Sequence, residues 1–174
     1  MTAQVFLRRL KWRMRWAWSY IVIRPRLRFP SLTMQTNTVC QNRCKECITA
    51  SIMADYPGYQ MSMDQVRAFI QTLKESGYWI DQLHLNGLGE PTLWKHFNEA
   101  IPLLGSCGHI GHISVVTNGK SLHLVSKRAA RYIHTFMLSA YPGPELVRIN
   151  DALKEKGVPV LNMVRNCSAF SASC

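Results

Sequence analysis

Ser31-Leu32-Thr33-Met34-Gln35-Thr36, followed after three residues by Cys40-Gln41-Asn42-Arg43-Cys44-Lys45-Glu46-Cys47, is the stretch that decides the fold. The first run reads as a strand that ends where a C-x3-C-x2-C loop begins. Three thiolates packed into one short loop cannot pair off as disulfides, and a loop of this length can turn all of them toward one metal centre. Iron–sulfur cubanes are normally held by four cysteines. A loop that supplies three leaves one iron without a protein ligand, open to a small molecule. The competing use of such thiolates is a zinc site completed by a histidine, although zinc loops more often carry C-x2-C pairs.

Outward from this loop, strand-like and helix-like segments alternate. A strand over 31–38 precedes the cysteines. Residues 63–76 have apolar positions at 66, 69, 70 and 73, start signals at Ser62 or Asp64, and Gly77 as a stop, which predicts a helix. The pattern continues with a strand over 80–86, a helix over 94–104, a strand over 112–117 and a helix over 122–132. A strand over 135–139, a helix over 144–156 and a strand over 158–164 complete it. Strands separated by helices of about 10–15 residues imply βαβ units and a parallel sheet. The expected fold is α/β, a partial (β/α) barrel of about five parallel strands and four helices. Ligands of such sheets bind at the carboxyl ends of the strands. The unusual motifs fall there: the cysteines after the first strand, Gly87-Leu88-Gly89-Glu90-Pro91 after the second, Thr117-Asn118-Gly119 after the third, and Ser139-Ala140-Tyr141-Pro142-Gly143 after the fourth.

The C-x3-C-x2-C loop in this position resembles the signature of the radical S-adenosylmethionine (radical SAM) superfamily, and the resemblance extends over about residues 31–164. It implies a [4Fe–4S] cluster held by Cys40, Cys44 and Cys47, with SAM on the fourth iron. The implied chemistry is reductive SAM cleavage followed by hydrogen abstraction from substrate, with an electron donor such as a flavodoxin or ferredoxin. Gly87, Gly89 and Glu90 match the Gly-Gly-Glu-Pro-like turn that contacts the methionyl amino group in that family. Asn118 and Ser139 stand where family members contact the SAM ribose and carboxylate. Two positions depart from the pattern. Glu46 precedes the third cysteine where the family usually has an aromatic or apolar residue, and 160–164 lacks a Gly-x-Ile-x-Gly adenine support. Five strands where six are typical make this a short or truncated member. The rival expectations are a non-catalytic metal-binding module, or a truncated barrel acting as an interaction partner.

The chain has 174 residues and a formal net charge of +11. Residues 1–30 hold eight Arg or Lys and no acid, so the remaining residues, with 13 basic and 10 acidic groups, carry a net of +3. The basic character belongs to that segment, and the domain gives no strong nucleic-acid signal. Within it, residues 4–22 read as a basic amphipathic helix suited to peripheral membrane contact or to docking on the barrel. No run of apolar residues is long enough to span a bilayer. Clustered thiols indicate a reducing compartment, with cytoplasm the default. The expected organisation is thus a basic segment over 1–30, a core over 31–164 and a tail over 165–174 containing Cys167 and Cys174. His84 lies within the second strand, either as a core histidine or facing the barrel interior near the cofactor.

Overall fold

The computed structural model describes residues 27–42, 47, 58–140, 151, 154–155 and 160–164. The expected N-terminal helix, most of the 144–156 helix, Cys44, Tyr141, Cys167 and Cys174 lie outside them. Five strands form one sheet: β1 (Arg28–Met34), β2 (Trp79–Leu85), β3 (Ile110–Thr117), β4 (Thr135–Ala140) and β5 (Val160–Val164). Every pairing is parallel, and the spatial order follows the sequence order from β1 to β5. Right-handed crossovers that always advance in one direction place their helices on one face of the sheet. The other face is therefore turned inward, as in a (β/α) barrel, and among the described residues β1 and β5 remain as edges.

Three α-helices are described: α1 (Met63–Ser76), α2 (Phe97–Ser106) and α3 (Lys127–Ala130). Ser62 and Gln65 form the reciprocal capping box that starts α1, with Gln65 N donating to Ser62 Oγ at 3.2 Å and Ser62 N to Gln65 Oε1 at 2.8 Å. Gly77 caps its other end, with its N–H on the Leu73 carbonyl. The face it buries is Met63, Val66, Ile70 and Leu73, at helical spacing. These residues share one core with Phe97, Ala100, Ile101 and Leu104 of α2 and with Leu83, Leu85, Ile113, Val115, Phe136 and Leu138 of the sheet. Each large side chain buried there contributes about 1.5–3 kcal/mol.

The expected helix over 122–132 is instead two pieces, a 3-10 turn at Leu122–Leu124 and the short α3. Val125 is extended between them, and Ser126 begins a fresh cap by accepting from Ala129 N at 3.1 Å. The second helix begins at Phe97 rather than at 94, because Pro91–Leu93 forms a separate 3-10 turn. The third strand begins two residues earlier than expected, at Ile110, and the first ends at Met34, ahead of the expected 38.

Candidate functional site

The residues between β1 and Cys40 are fixed from two sides. On one side, Met61 N donates to Thr36 O at 2.8 Å and Thr38 N to Tyr59 O at 3.0 Å. Trp94, 2% exposed, holds that neighbouring segment by donating from Nε1 to Met61 O at 2.8 Å. On the other side stands the turn after β2. Glu90 N donates to Val39 O at 2.8 Å, and Asn37 Nδ2 donates to Glu90 O at 3.0 Å. Asn37 Oδ1 meanwhile accepts from Val39 N at 2.8 Å. Gly89 makes this approach possible: a Cβ there would lie 2.2 Å from Asn37 Oδ1 and 2.5 Å from Asn37 O. Gly87, at φ 146°, takes the turn through a conformation that L side chains rarely adopt.

The Glu90 carboxylate points inward and is 3% exposed. Its Oε1 accepts from Thr92 N at 3.2 Å, Thr92 Oγ1 at 2.6 Å and Thr117 Oγ1 at 2.6 Å. Its Oε2 accepts from Asn118 N at 2.8 Å. A carboxylate has about four lone-pair sites, so Oε1 is filled and Oε2 retains one. One buried anion thus ties the exits of β2 and β3 together, and its own backbone ties both to the cysteine loop. Buried charges persist where hydrogen-bond donors replace the water they have lost.

Asn118 makes a third link. Its Oδ1 accepts from Lys120 N at 3.0 Å and from Gln41 Nε2 at 3.1 Å. A backbone donor on Oδ1 fixes the amide orientation, which leaves Nδ2 facing Cys40 Sγ at 3.9 Å. Asn42 N also donates to Cys40 Sγ, at 3.4 Å. Gln41 Nε2 donates in addition to Ser121 Oγ at 3.0 Å. Cys40 is half-buried and Cys47 is exposed. N–H groups aimed at a sulfur favour its thiolate form, the form that ligates metal. That environment at Cys40 fits an iron–sulfur or other thiolate-bound centre. Among the described residues no group of three His, Cys, Asp or Glu side chains stands ready to hold a metal, Cys44 lying outside them.

Of the residues singled out in the sequence, Cys40, Gly89, Glu90 and Asn118 meet at one end of the sheet. Gly87 stands beside Gln35. Ser139, half-buried near the end of β4, is level with Asn118, since Thr117 pairs with Leu138. Asn37, Gln41, Thr92, Thr117 and Ser121 were not anticipated as partners. Thr92 and Thr117 sit inside the motifs quoted above, but nothing in a linear pattern shows that both reach Glu90.

Neither any family model nor any curated protein matches the sequence. Among solved structures, the crystal structure of BtrN in complex with AdoMet and 2-DOIA is similar, with a TM-score of 0.56 and 18% identity over 78% of this chain and 57% of that one. The chain shares that protein's fold, an α/β arrangement of parallel strands with helices. Selenomethionine BtrN in an open conformation matches at a TM-score of 0.52 and 17% identity, over 78% of this chain and 56% of that one. Methylornithine synthase (PylB) gives a TM-score of 0.49 and 16% identity, over 93% of this chain and 51% of its own. The chain thus spans a little over half the length of these neighbours. The likeness agrees with the expected α/β partial barrel. No described helix is long and apolar enough to cross a membrane.

Proposed function

We propose that this chain is a radical SAM enzyme in which Cys40, Cys44 and Cys47 hold a [4Fe–4S] cluster. The observation that supports the reading most is the Glu90 hub, which draws the cysteine loop against the carboxyl ends of β2 and β3, where ligands of parallel sheets bind. A cluster bound there supplies one electron for reductive cleavage of S-adenosylmethionine.

The chain's own residues then bind and orient. Asn118 Nδ2 and Asn42 N stabilise the Cys40 thiolate. Gly87 and Gly89 let the backbone approach the methionyl end of SAM, and the remaining lone pair of Glu90 Oε2 accepts from its ammonium. Ser139 offers a hydroxyl to the ribose or carboxylate. Asn118, already engaged with Cys40 and Gln41, serves the same end of SAM through the loop it holds. The same reading assigns a flavodoxin or ferredoxin as electron donor, a cytoplasmic location, and peripheral membrane contact through residues 4–22.

Electron paramagnetic resonance on anaerobically reconstituted, reduced protein tests this, with and without SAM, beside Cys44→Ala. A [4Fe–4S]⁺ signal that changes with SAM and disappears in the variant is the expected result. A colourless, zinc-loaded protein, or a cluster indifferent to SAM, would sink the enzyme reading. A SAM-responsive cluster without SAM cleavage would make the chain a binding module.

A further inference from the structure

The inward face of the sheet has a composition that a closed, packed barrel does not. Its residues follow from the strand register. Phe29, Ile80 and Ile110 stand side by side at the amino end. Next come Ser31, Gln82 and His112, and then Thr33, His84, Ser114 and Thr135 in one row across four strands. Val116 and Met137 follow toward the carboxyl end. The interior of a packed barrel is dominated by Val, Ile and Leu, and sheets covered on both faces read as continuous apolar runs. Here the helix-facing side keeps that character, whereas the inward side carries a polar band between an apolar floor and the row of Val116 and Met137 that precedes the carboxyl end. No Asp, Glu, Lys or Arg belongs to it among the described strand residues.

The band is organised. His84 Nδ1 and Ser114 Oγ share a hydrogen bond of 2.5 Å, and His112 Nε2 and Thr135 Oγ1 one of 3.1 Å. His112 also stacks on His134 at 4.6 Å between centroids, and His134 Nδ1 accepts from Ile113 N at 3.0 Å. Burial, with a smaller effect from His84, lowers His112 to about 4, so its ring is neutral near pH 7. Ser114 is 3% exposed, while Thr33 and Gln82 are open to solvent. The ring of His84 retains Nε2 beyond its bond to Ser114.

Hydroxyls, amides and the neutral imidazole of His112 each both donate and accept. An ionic ligand laid on such a band would lose hydration and find no countercharge. An apolar ligand would cut Thr33 and Gln82, which are open to solvent, off from water with nothing in its place. A ligand with many hydroxyls and no charge meets both demands. We propose that the band formed by Gln82, His84, His112, Ser114 and Thr135 is the substrate-recognition surface, and that it selects a neutral polyhydroxylated ring, a sugar or a cyclitol. The proposal rests on the radical SAM reading for the reaction, although the binding it predicts can be measured without it.

The test is isothermal titration of the full reconstituted chain, with SAM present, using myo-inositol and methyl α-glucoside as probes. Citrate, spermidine and cyclohexanol serve as anionic, cationic and hydroxyl-poor comparisons. Saturable heat from at least one polyol is expected, with the responding probe separating cyclitol from sugar. Loss of one well-placed hydrogen bond should weaken it about tenfold in His84→Leu and in Thr135→Val, taking whichever variant melts as wild type does. No heat from either polyol, tighter binding of citrate, spermidine or cyclohexanol, or variants that bind like wild type would overturn the proposal. Paramagnetic resonance on the same wild-type sample keeps the two readings apart. A SAM-dependent signal without polyol binding removes the substrate class alone, and polyol binding without a SAM response removes the radical SAM reading alone.

Discussion

Substitution of Glu90 is expected to destabilise the protein in the absence of any cofactor. In Glu90→Ala, four donors lose their acceptor: Thr92 N, Thr92 Oγ1, Thr117 Oγ1 and Asn118 N. The hydroxyls can rotate toward other acceptors, whereas the two backbone N–H groups cannot. At about 1–3 kcal/mol for each buried donor left unmet, and with water entering part of the space, the loss should be about 3–4 kcal/mol. Glu90→Gln is the sharper test because it keeps the shape. Each carboxylate oxygen faces a backbone N–H, Thr92 N on Oε1 and Asn118 N on Oε2. An amide has one acceptor end, so either orientation turns its NH2 against one of these donors. The remaining bonds lose charge assistance, and the sum is about 2–3 kcal/mol.

Urea unfolding of the full chain followed by circular dichroism reads this directly. A melting-temperature drop of about 5–10 °C should accompany it for a chain of this size. A carboxylate whose role was confined to contacting SAM would leave the cofactor-free protein unchanged. Glu90→Gln within about 0.5 kcal/mol of wild type, the scatter of ordinary surface changes, would therefore refute the hub.

Gly89→Ala should be as damaging as a core mutation. Its Cβ meets Asn37 backbone at 2.5 Å, so the turn must move off the cysteine loop, and a loss of about 2–3 kcal/mol with weakened iron loading is expected by urea unfolding and iron analysis. Cys40→Ala, Cys44→Ala and Cys47→Ala should each reduce iron and sulfide after reconstitution to a small fraction of wild type, while Cys107→Ala should leave both unchanged. Stability should fall in acid through His112, whose value drops from 6.5 to about 4 in the fold. The unfolded chain then binds the extra proton between these values, so the stabilisation is complete above about pH 6.5 and lost as pH falls toward 4. Partial exposure screens it to about 2 kcal/mol, and the difference between wild type and His112→Gln in urea unfolding at pH 7.5 and 4.5 isolates it.

What the sequence disclosed follows the range of the interactions. The start and stop of α1 were legible because Ser62 and Gly77 act within a few residues of the helix they bound. The order of the five strands and of α1 and α2 was legible through hydrophobic periodicity. The break at Val125 was missed because the apolar pattern over 122–132 runs through it, even though Ser126 is an N-cap signal that could have marked it. Glu90 was legible as part of a turn, but its partners Thr117 and Asn118 lie 27 and 28 residues away. Asn118 likewise stood out as a ligand-facing residue, whereas its amide is engaged with Gln41, 77 positions distant, and with Cys40. The polar inward face was hidden for another reason. A single histidine in a strand is uninformative until the register sets it in a row with Thr33, Ser114 and Thr135.

Strand order links these features. Because each strand lies beside its predecessor, the helices collect on one face and take the apolar residues with them. The inward face is then released from the demand for apolar packing and can hold hydroxyls and imidazoles. That freedom has a structural cost, since half the sheet contributes little hydrophobic stabilisation and its loops must be positioned by other means. The Glu90 hub meets this need with short, charge-assisted hydrogen bonds that span the exits of β2 and β3 and reach the cysteine loop through Asn37. The residues from Asn37 to Asn42, held this way, have already lost much of their conformational freedom before any ligand arrives, which lowers the ordering cost of binding. Polar residues inside this sheet and a buried carboxylate at its edge are thus two consequences of one topology, and a fold that lacked the second would be poorly placed to keep the first.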